Sequence, residues 1–211
     1  RNMRQWMEDN IPEALNLYKS DATAEIRNQV VADNPTKIHD LTFLRTEVLF
    51  KIITATGVAQ EQARSLALET FSVFFKGRND VAFFPGALEM LDVLSQRYTL
   101  FALTNGNADV EQVGIAKFLA GAVSSADVGA SKPNRLMFDA VLAKAGATAD
   151  QCIHVGDHLT DDIEGAKNVG MHTLWVNLTG HEPSADQTKA NIEITNLNEL
   201  PSALAAYQDS L

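Results

Sequence analysis

Apolar residues recur at steps of three and four through the first 82 residues. Met3, Trp6, Met7, Leu15 and Tyr18 form one stripe. Leu41, Leu44, Val48 and Ile52 form a second, and Ala63, Leu66, Ala67, Phe71 and Phe74 a third. Such spacing places side chains on one face of a helix, so the segment is predicted to be helical throughout and its aromatics to be core. Gly57 is expected to end the helix begun at Leu41, and Gly77 the helix containing Leu66. From Phe83 onward the pattern changes. A helix is predicted after Pro85 through Leu88, Leu91 and Leu94, then a strand in "YTLFALTNG" and a weaker strand in "AVSSADVG". "LMFDAVLAKAG" predicts a helix closed by Gly146. "CIHVGD" predicts a strand, "DDIEGAKNVG" a helix closed by Gly170, and "HTLWVN" a strand. "NLNELPSALAAY" predicts a last helix, started or interrupted at Pro201.

Strands alternating with helices imply a parallel sheet covered on both faces. The expected fold is therefore α/β. A Rossmann-like parallel core over residues 83–211 follows an all-helical domain over residues 1–82. "TGHEPSADQTKAN" is predicted to be a polar loop.

The 211 residues are 45% hydrophobic, enough for a substantial core, and carry a net charge of −10. That charge argues against nucleic-acid and anionic-membrane partners. No apolar run approaches the roughly 18 residues a membrane helix needs. Cys152 is the only cysteine, so no intrachain disulfide can form, and a cytoplasmic setting is expected.

Ligands of open parallel sheets gather at the carboxyl ends of the strands. Three stretches put polar residues there. In "HVGDHLTDDIEGA", Asp157 ends a strand and lies outside the following helix, whereas Asp161 and Asp162 would be ordinary first-turn acids behind an N-cap at Thr160. A carboxylate such as Asp157 suits Mg²⁺, which keeps several waters and takes few direct protein ligands. In "LTNGN", Asn105-Gly106 could form a hairpin, but the next segment looks helical. Thr104 and the backbone after it then occupy a strand-to-helix turn suited to anions. In "SKPN", Lys132 alone reads as a solvated loop lysine. With Pro133 opening a helix, its ammonium would stand at the helix entrance, where it could neutralise a phosphate or a carboxylate nucleophile. His154 and Cys152, within an apolar strand, read as structural. His158 flanks Asp157 and reads as a loop residue. Trp175 reads as sheet packing.

In the order Thr104, Lys132, Asp157, these stretches resemble the second, third and fourth motifs of the haloacid dehalogenase superfamily. "FFPGALEMLDVL" resembles the return from a helical cap into the core. The likeness is nearest to bacterial phosphatases of flavin mononucleotide and related ribityl or sugar phosphates. It implies a Mg²⁺-dependent phosphomonoesterase acting on a small phosphorylated metabolite: flavin mononucleotide, a nucleotide or a sugar phosphate. It implies an aspartyl-phosphate intermediate. Thr104 and the backbone of Asn105 would hold the phosphoryl group and Lys132 would offset its charge. Asp157 and Asp162 would serve the metal, Asp162 through bound water, with Asp161 as the less favoured choice for the second acid. Arg135 replaces a proline common after the lysine motif, which leaves Lys132 in place.

No DxDxT sequence, the nucleophile motif of that superfamily, occurs in the 211 residues, which open on Arg1 within what resembles the cap. The resemblance places the missing strand centrally, between the strands ending at Thr104 and Asp157. Each buried backbone group left without a partner costs about 1–3 kcal/mol. The natural polypeptide is therefore expected to carry that strand upstream, and the residues as written to lack turnover. Two alternatives remain at this level, and a third is disfavoured by motif order. A non-catalytic binding module fits the residues literally present. A 2-haloacid dehalogenase would need no Mg²⁺. A receiver domain would place its acids first and its lysine last, the reverse of this order.

Overall fold

The computed structural model describes residues 2–211, which divide into two compact units. The first comprises residues up to Val81 together with Gly106–Val113, and the second comprises Ala82–Asn105 and Gly114–Leu211.

The first unit is helical: α1 (Met3–Asn10), α2 (Pro12–Tyr18), α3 (Ala22–Asp33), α4 (Leu41–Ala55) and α5 (Gln60–Asn79), with the short α7 (Val110–Val113) added from the second half of the chain. The first apolar stripe is split into two helices. Pro12, lacking an N–H, opens α2 immediately after α1. Met7, Leu15, Val30, Leu49, Ile52 and Phe71 form the buried centre. Gly57, in the left-handed region at φ 87°, follows the end of α4. Gly77 does not end α5: the helix continues to Asn79, whose side-chain amide donates to Phe75 O. Lys76 and Arg78 in its last turn suit the negative end of the helix dipole. α3 escaped the periodicity reading because only Val30 of its residues is buried.

The second unit is α/β. It holds α6 (Ala87–Ser95), β1 (Phe101–Thr104), β2 (Gly121–Ser124), α8 (Ser125–Val128), α9 (Arg135–Ala145), β3 (Ile153–Gly156), a π-helical turn (Leu159–Glu164) running into α10 (Gly165–Asn168), β4 (His172–Val176), β5 (Ile192–Ile194) and α11 (Leu200–Gln208). All strand pairings are parallel. β1 pairs with β2, Thr104 opposite Ser124, while β3, β4 and β5 form a separate three-stranded sheet. Asn105-Gly106 therefore makes no hairpin. β5 was not predicted: its three residues follow the polar loop, too short a run for alternation to register.

Helices cover both faces. Leu174 packs with Leu94 of α6 and Leu200 and Leu204 of α11. Its neighbour Trp175, pointing to the other face as strand geometry requires, packs on Leu159 and Ile163. α9 contributes Met137 and Phe138 to a cluster with Ala166, Met171 and Leu103, which ties the β1 strand to the segment after β3. Pro133 lies before α9 rather than in it. Asn134 caps the helix, its side-chain oxygen accepting the Leu136 N–H.

Among the described residues, β1 and β3 do not pair with each other, so each keeps one edge without a strand. Val155, in the middle of β3, is 37% exposed. Interior strands of a parallel sheet are normally covered on both faces, so this apolar position stands out.

Candidate active site

Polar contacts join the ends of β1 and β3 across that gap. Thr104 is the last residue of β1. Asn105, next in the chain, grips the Lys132 backbone from both sides. Its Oδ1 accepts the Lys132 N–H at 2.6 Å, and its Nδ2 donates to Lys132 O at 3.0 Å and to Asp161 Oδ2 at 3.4 Å. The carbonyl of Asn105 accepts the Ser125 hydroxyl at 3.1 Å. Beyond the backbone role expected of Asn105, its amide side chain anchors the loop that presents Lys132.

The Lys132 ammonium donates to Leu103 O at 3.0 Å and to Asp162 Oδ1 at 2.6 Å. Its side chain is 11% exposed and that of Asp162 7%, so the pair is nearly dry. Two of the three ammonium hydrogens are thereby placed. Asp162 has two further partners: His154 Nε2 lies 2.9 Å from the same Oδ1, and the His158 N–H donates to Oδ2 at 3.1 Å. Burial alone pushes this carboxyl up. The hydrogen bond from His154 and the charge and hydrogen bond of Lys132 outweigh burial and hold it well below the usual carboxylate range. Three of its roughly four acceptor positions are taken by protein donors. Asp162 is thus chiefly the counter-ion of Lys132, with one position left for a water.

Gly156 makes this geometry possible. A Cβ built there would overlap the Cβ and Cγ of Asp162, so the carboxylate tucks against a bare backbone. Gly165 has a similar task one turn later. A Cβ there would stand 2.7 Å from Phe138 Cε2 and 3.0 Å from Pro133 Cα.

Asp157 is different. Its residue is exposed, and among the described residues no hydrogen bond or ion pair engages its carboxylate. Its backbone oxygen accepts the Trp175 indole N–H at 3.0 Å, so Trp175 pins the residue as well as packing the sheet. The helix N-cap expected at Thr160 is instead His158, whose Nδ1 accepts the Asp161 N–H at 3.0 Å. That contact puts the proton of the neutral ring on Nε2. A cavity of about 730 Å³ opens beside Asp157 and His158, bounded also by Phe84, Trp175, Leu178 and His181. Cys152 is half-buried and burial pushes its thiol up, which suits a structural thiol rather than a nucleophile.

The donor set fits a hard cation that keeps most of its water. Asp157 offers an open carboxylate oxygen, and among the described residues no three His, Cys, Asp or Glu side chains form a closed cage. From the sequence His154 reads as structural and Gly156 as room for a tight turn; their part in holding Asp162, and that of the Asn105 side chain in holding Lys132, is visible only in the structure. Period-two alternation would have put His154 and Gly156 on one strand face, but nothing local shows that Asp162 returns to that face.

Comparisons with known proteins bear on the family and the fold. The haloacid dehalogenase-like hydrolase family matches residues 5–170. The chain is 28% identical over 163 residues to 5-amino-6-(5-phospho-D-ribitylamino)uracil phosphatase YigB of Escherichia coli, covering 77% of this chain and 68% of that one. It is 28% identical over 162 residues to a phosphoserine phosphatase of Thermus thermophilus, covering 74% of this chain and 63% of that one. It therefore spans about two thirds of the length of these relatives. The crystal structure of a 2-haloacid dehalogenase from Pseudomonas syringae pv. tomato is similar with a TM-score of 0.91 and 36% identity, over 97% of this chain and 88% of that one. The chain belongs to the haloacid dehalogenase-like hydrolase family.

Proposed function

We propose that the full-length protein is a Mg²⁺-dependent phosphatase that hydrolyses a small phosphorylated metabolite such as flavin mononucleotide, a nucleotide or a sugar phosphate. The carrying observation is the Lys132 ammonium, fixed by Asp162 at the end of β1, with the open carboxylate of Asp157 at the end of β3. A positive group and a free acid at converging strand ends suit a phosphoryl group and its counter-cation.

No DxDxT sequence occurs among these 211 residues. We assign the nucleophile to a strand seated between β1 and β3, whose facing edges carry no strand among the described residues and where Val155 is exposed. A carboxylate oxygen on that strand attacks phosphorus while a second carboxylic acid two residues on gives its proton to the ester oxygen, which leaves as the alcohol; that second carboxylate then takes a proton from the water that cleaves the acyl phosphate. Lys132 offsets charge on the transferring oxygens. Thr104 and the backbone after it hold that group at the end of β1. Asp157 would hold the Mg²⁺, which would neutralise phosphate charge when bound. Asp162 keeps Lys132 aimed and can orient one water.

The 36% identity to a 2-haloacid dehalogenase structure supports a second reading, carbon–halogen hydrolysis. The open acid at Asp157 favours the phosphatase. The test is hydrolysis of p-nitrophenyl phosphate and of 2-chloropropionate by the full-length protein, with and without EDTA. Phosphate release that EDTA abolishes supports the phosphatase. Halide release indifferent to EDTA overturns it, and bound Mg²⁺ with no turnover of either substrate supports a non-catalytic module.

A further inference from the structure

His154 sits on β3, two residues before the strand end, with its side chain 11% exposed. One face of its ring environment is apolar: Phe138 lies edge-on, ring centres 5.4 Å apart. Here the ring partner is Asp162 Oδ1, the oxygen that also receives the Lys132 ammonium. Since the carboxylate is ionised and accepts only, His154 Nε2 must carry the hydrogen and donate it.

Lys132 alone would not set the carboxylate's orientation. Rotation about the terminal bond of an aspartate is soft and roughly two-fold. An ammonium is a point charge that follows whichever oxygen comes near. With His154 and Lys132 both on Oδ1 and the His158 N–H on Oδ2, the plane of the carboxylate is determined, and with it the position of Lys132 Nζ next to Leu103 O. The bare backbone at Gly156, on the same strand face as His154, leaves room for that single placement.

We propose that His154 is a positioning residue: by donating Nε2–H to Asp162 it fixes the carboxylate that aims the Lys132 ammonium at the transferring group. The inference rests on the phosphatase reading of the same site. It assigns His154 no contact with substrate and no proton transfer. Loss of the ring's donor should therefore misplace Lys132 while leaving its charge in the site, which affects the transition state more than ground-state binding.

Two variants of the full-length protein separate this role from packing. His154→Phe keeps a ring against Phe138 and removes the donor. His154→Gln gives up the ring but returns an N–H near the position of Nε2. With p-nitrophenyl phosphate and Mg²⁺, His154→Phe should lower kcat roughly 10- to 100-fold with KM changed by no more than about two-fold. His154→Gln should recover most of kcat despite poorer packing. Wild-type kcat in His154→Phe overturns the proposal, as does a folded His154→Gln no better than His154→Phe. Should His154→Phe not fold, ¹⁵N imidazole spectra of the unsubstituted protein decide. A His154 ring carrying a proton on Nε2, and losing that preference in Asp162→Asn, supports the proposal, and a ring protonated at Nδ1 alone overturns it. Should the unsubstituted protein hydrolyse no phosphomonoester, the phosphatase reading fails, and the same spectra still decide whether His154 holds Asp162.

Discussion

Lys132 Nζ lies 2.6 Å from Asp162 Oδ1, both side chains are nearly buried, and the same ammonium reaches back to Leu103 O. One ion pair therefore links the end of β1 to the helix after β3, across the interval where the two sheets do not pair. A buried pair of this kind gains little over an apolar substitute, but breaking it from one side leaves a stranded charge. Asp162→Ala should destabilise the second unit by about 3–5 kcal/mol, measured by urea unfolding. Equal stability of variant and parent would show that the pair is solvated in solution.

Acid should act through the same carboxyl. Folding holds Asp162 below its ordinary value of about 3.9, so the unfolded chain binds the proton more readily. Its contribution to stability is complete above about pH 4 and is lost as pH falls from there toward the folded value. Unfolding free energies between about pH 4 and pH 2 should fall less steeply in Asp162→Asn than in the parent. They should not become flat, because Asp127, held down by its bonds to Ser124, loses stabilising charge in the same direction.

Gly156→Ala tests the slot directly. The added methyl overlaps the side chain of Asp162 as far back as its Cβ, which the backbone holds, so overpacking should cost about 1–3 kcal/mol. The displaced carboxylate should carry Lys132 with it. Phosphatase kcat of the full-length protein should fall even at temperatures where the variant is fully folded. Unchanged kcat in a folded variant would mean that Asp162 does not govern Lys132.

Asp157→Asn should separate metal response from stability. The side chain is exposed and has no protein partner among the described residues, so unfolding free energy should stay within about 0.5 kcal/mol of the parent. Mg²⁺ activation of the full-length protein should disappear. Calorimetric titration with Mg²⁺ checks this independently of turnover, and an unchanged isotherm would remove Asp157 from the metal site.

The broad plan was legible in the residues. Period-three-and-four stripes such as Leu41 to Ile52 announce α4, and the apolar runs ending at Thr104 and Gly156 announce β1 and β3, because burial of one face leaves a periodic trace. Gly146 and Gly170 mark helix ends because each takes a positive φ there. Short or weakly buried elements left no such trace: α3 hides a single core residue and β5 has only three residues. Gly77 misled because a glycine inside a helix costs only about 1 kcal/mol, less than the packing of α5 supplies.

The chemistry divides along the same physical line. Sequence by itself determined which residues stand at strand ends, since that follows from local periodicity: Thr104, Asn105 and Asp157. It could not determine which of three neighbouring acids stays open and which is consumed. Asp162 is committed to Lys132 and His154, residues 30 and eight positions away, while Asp157 is left free. That choice depends on contacts between distant segments and on the absence of a methyl at Gly156, and such contacts exist only once α9, β3 and the π-helical turn have packed together.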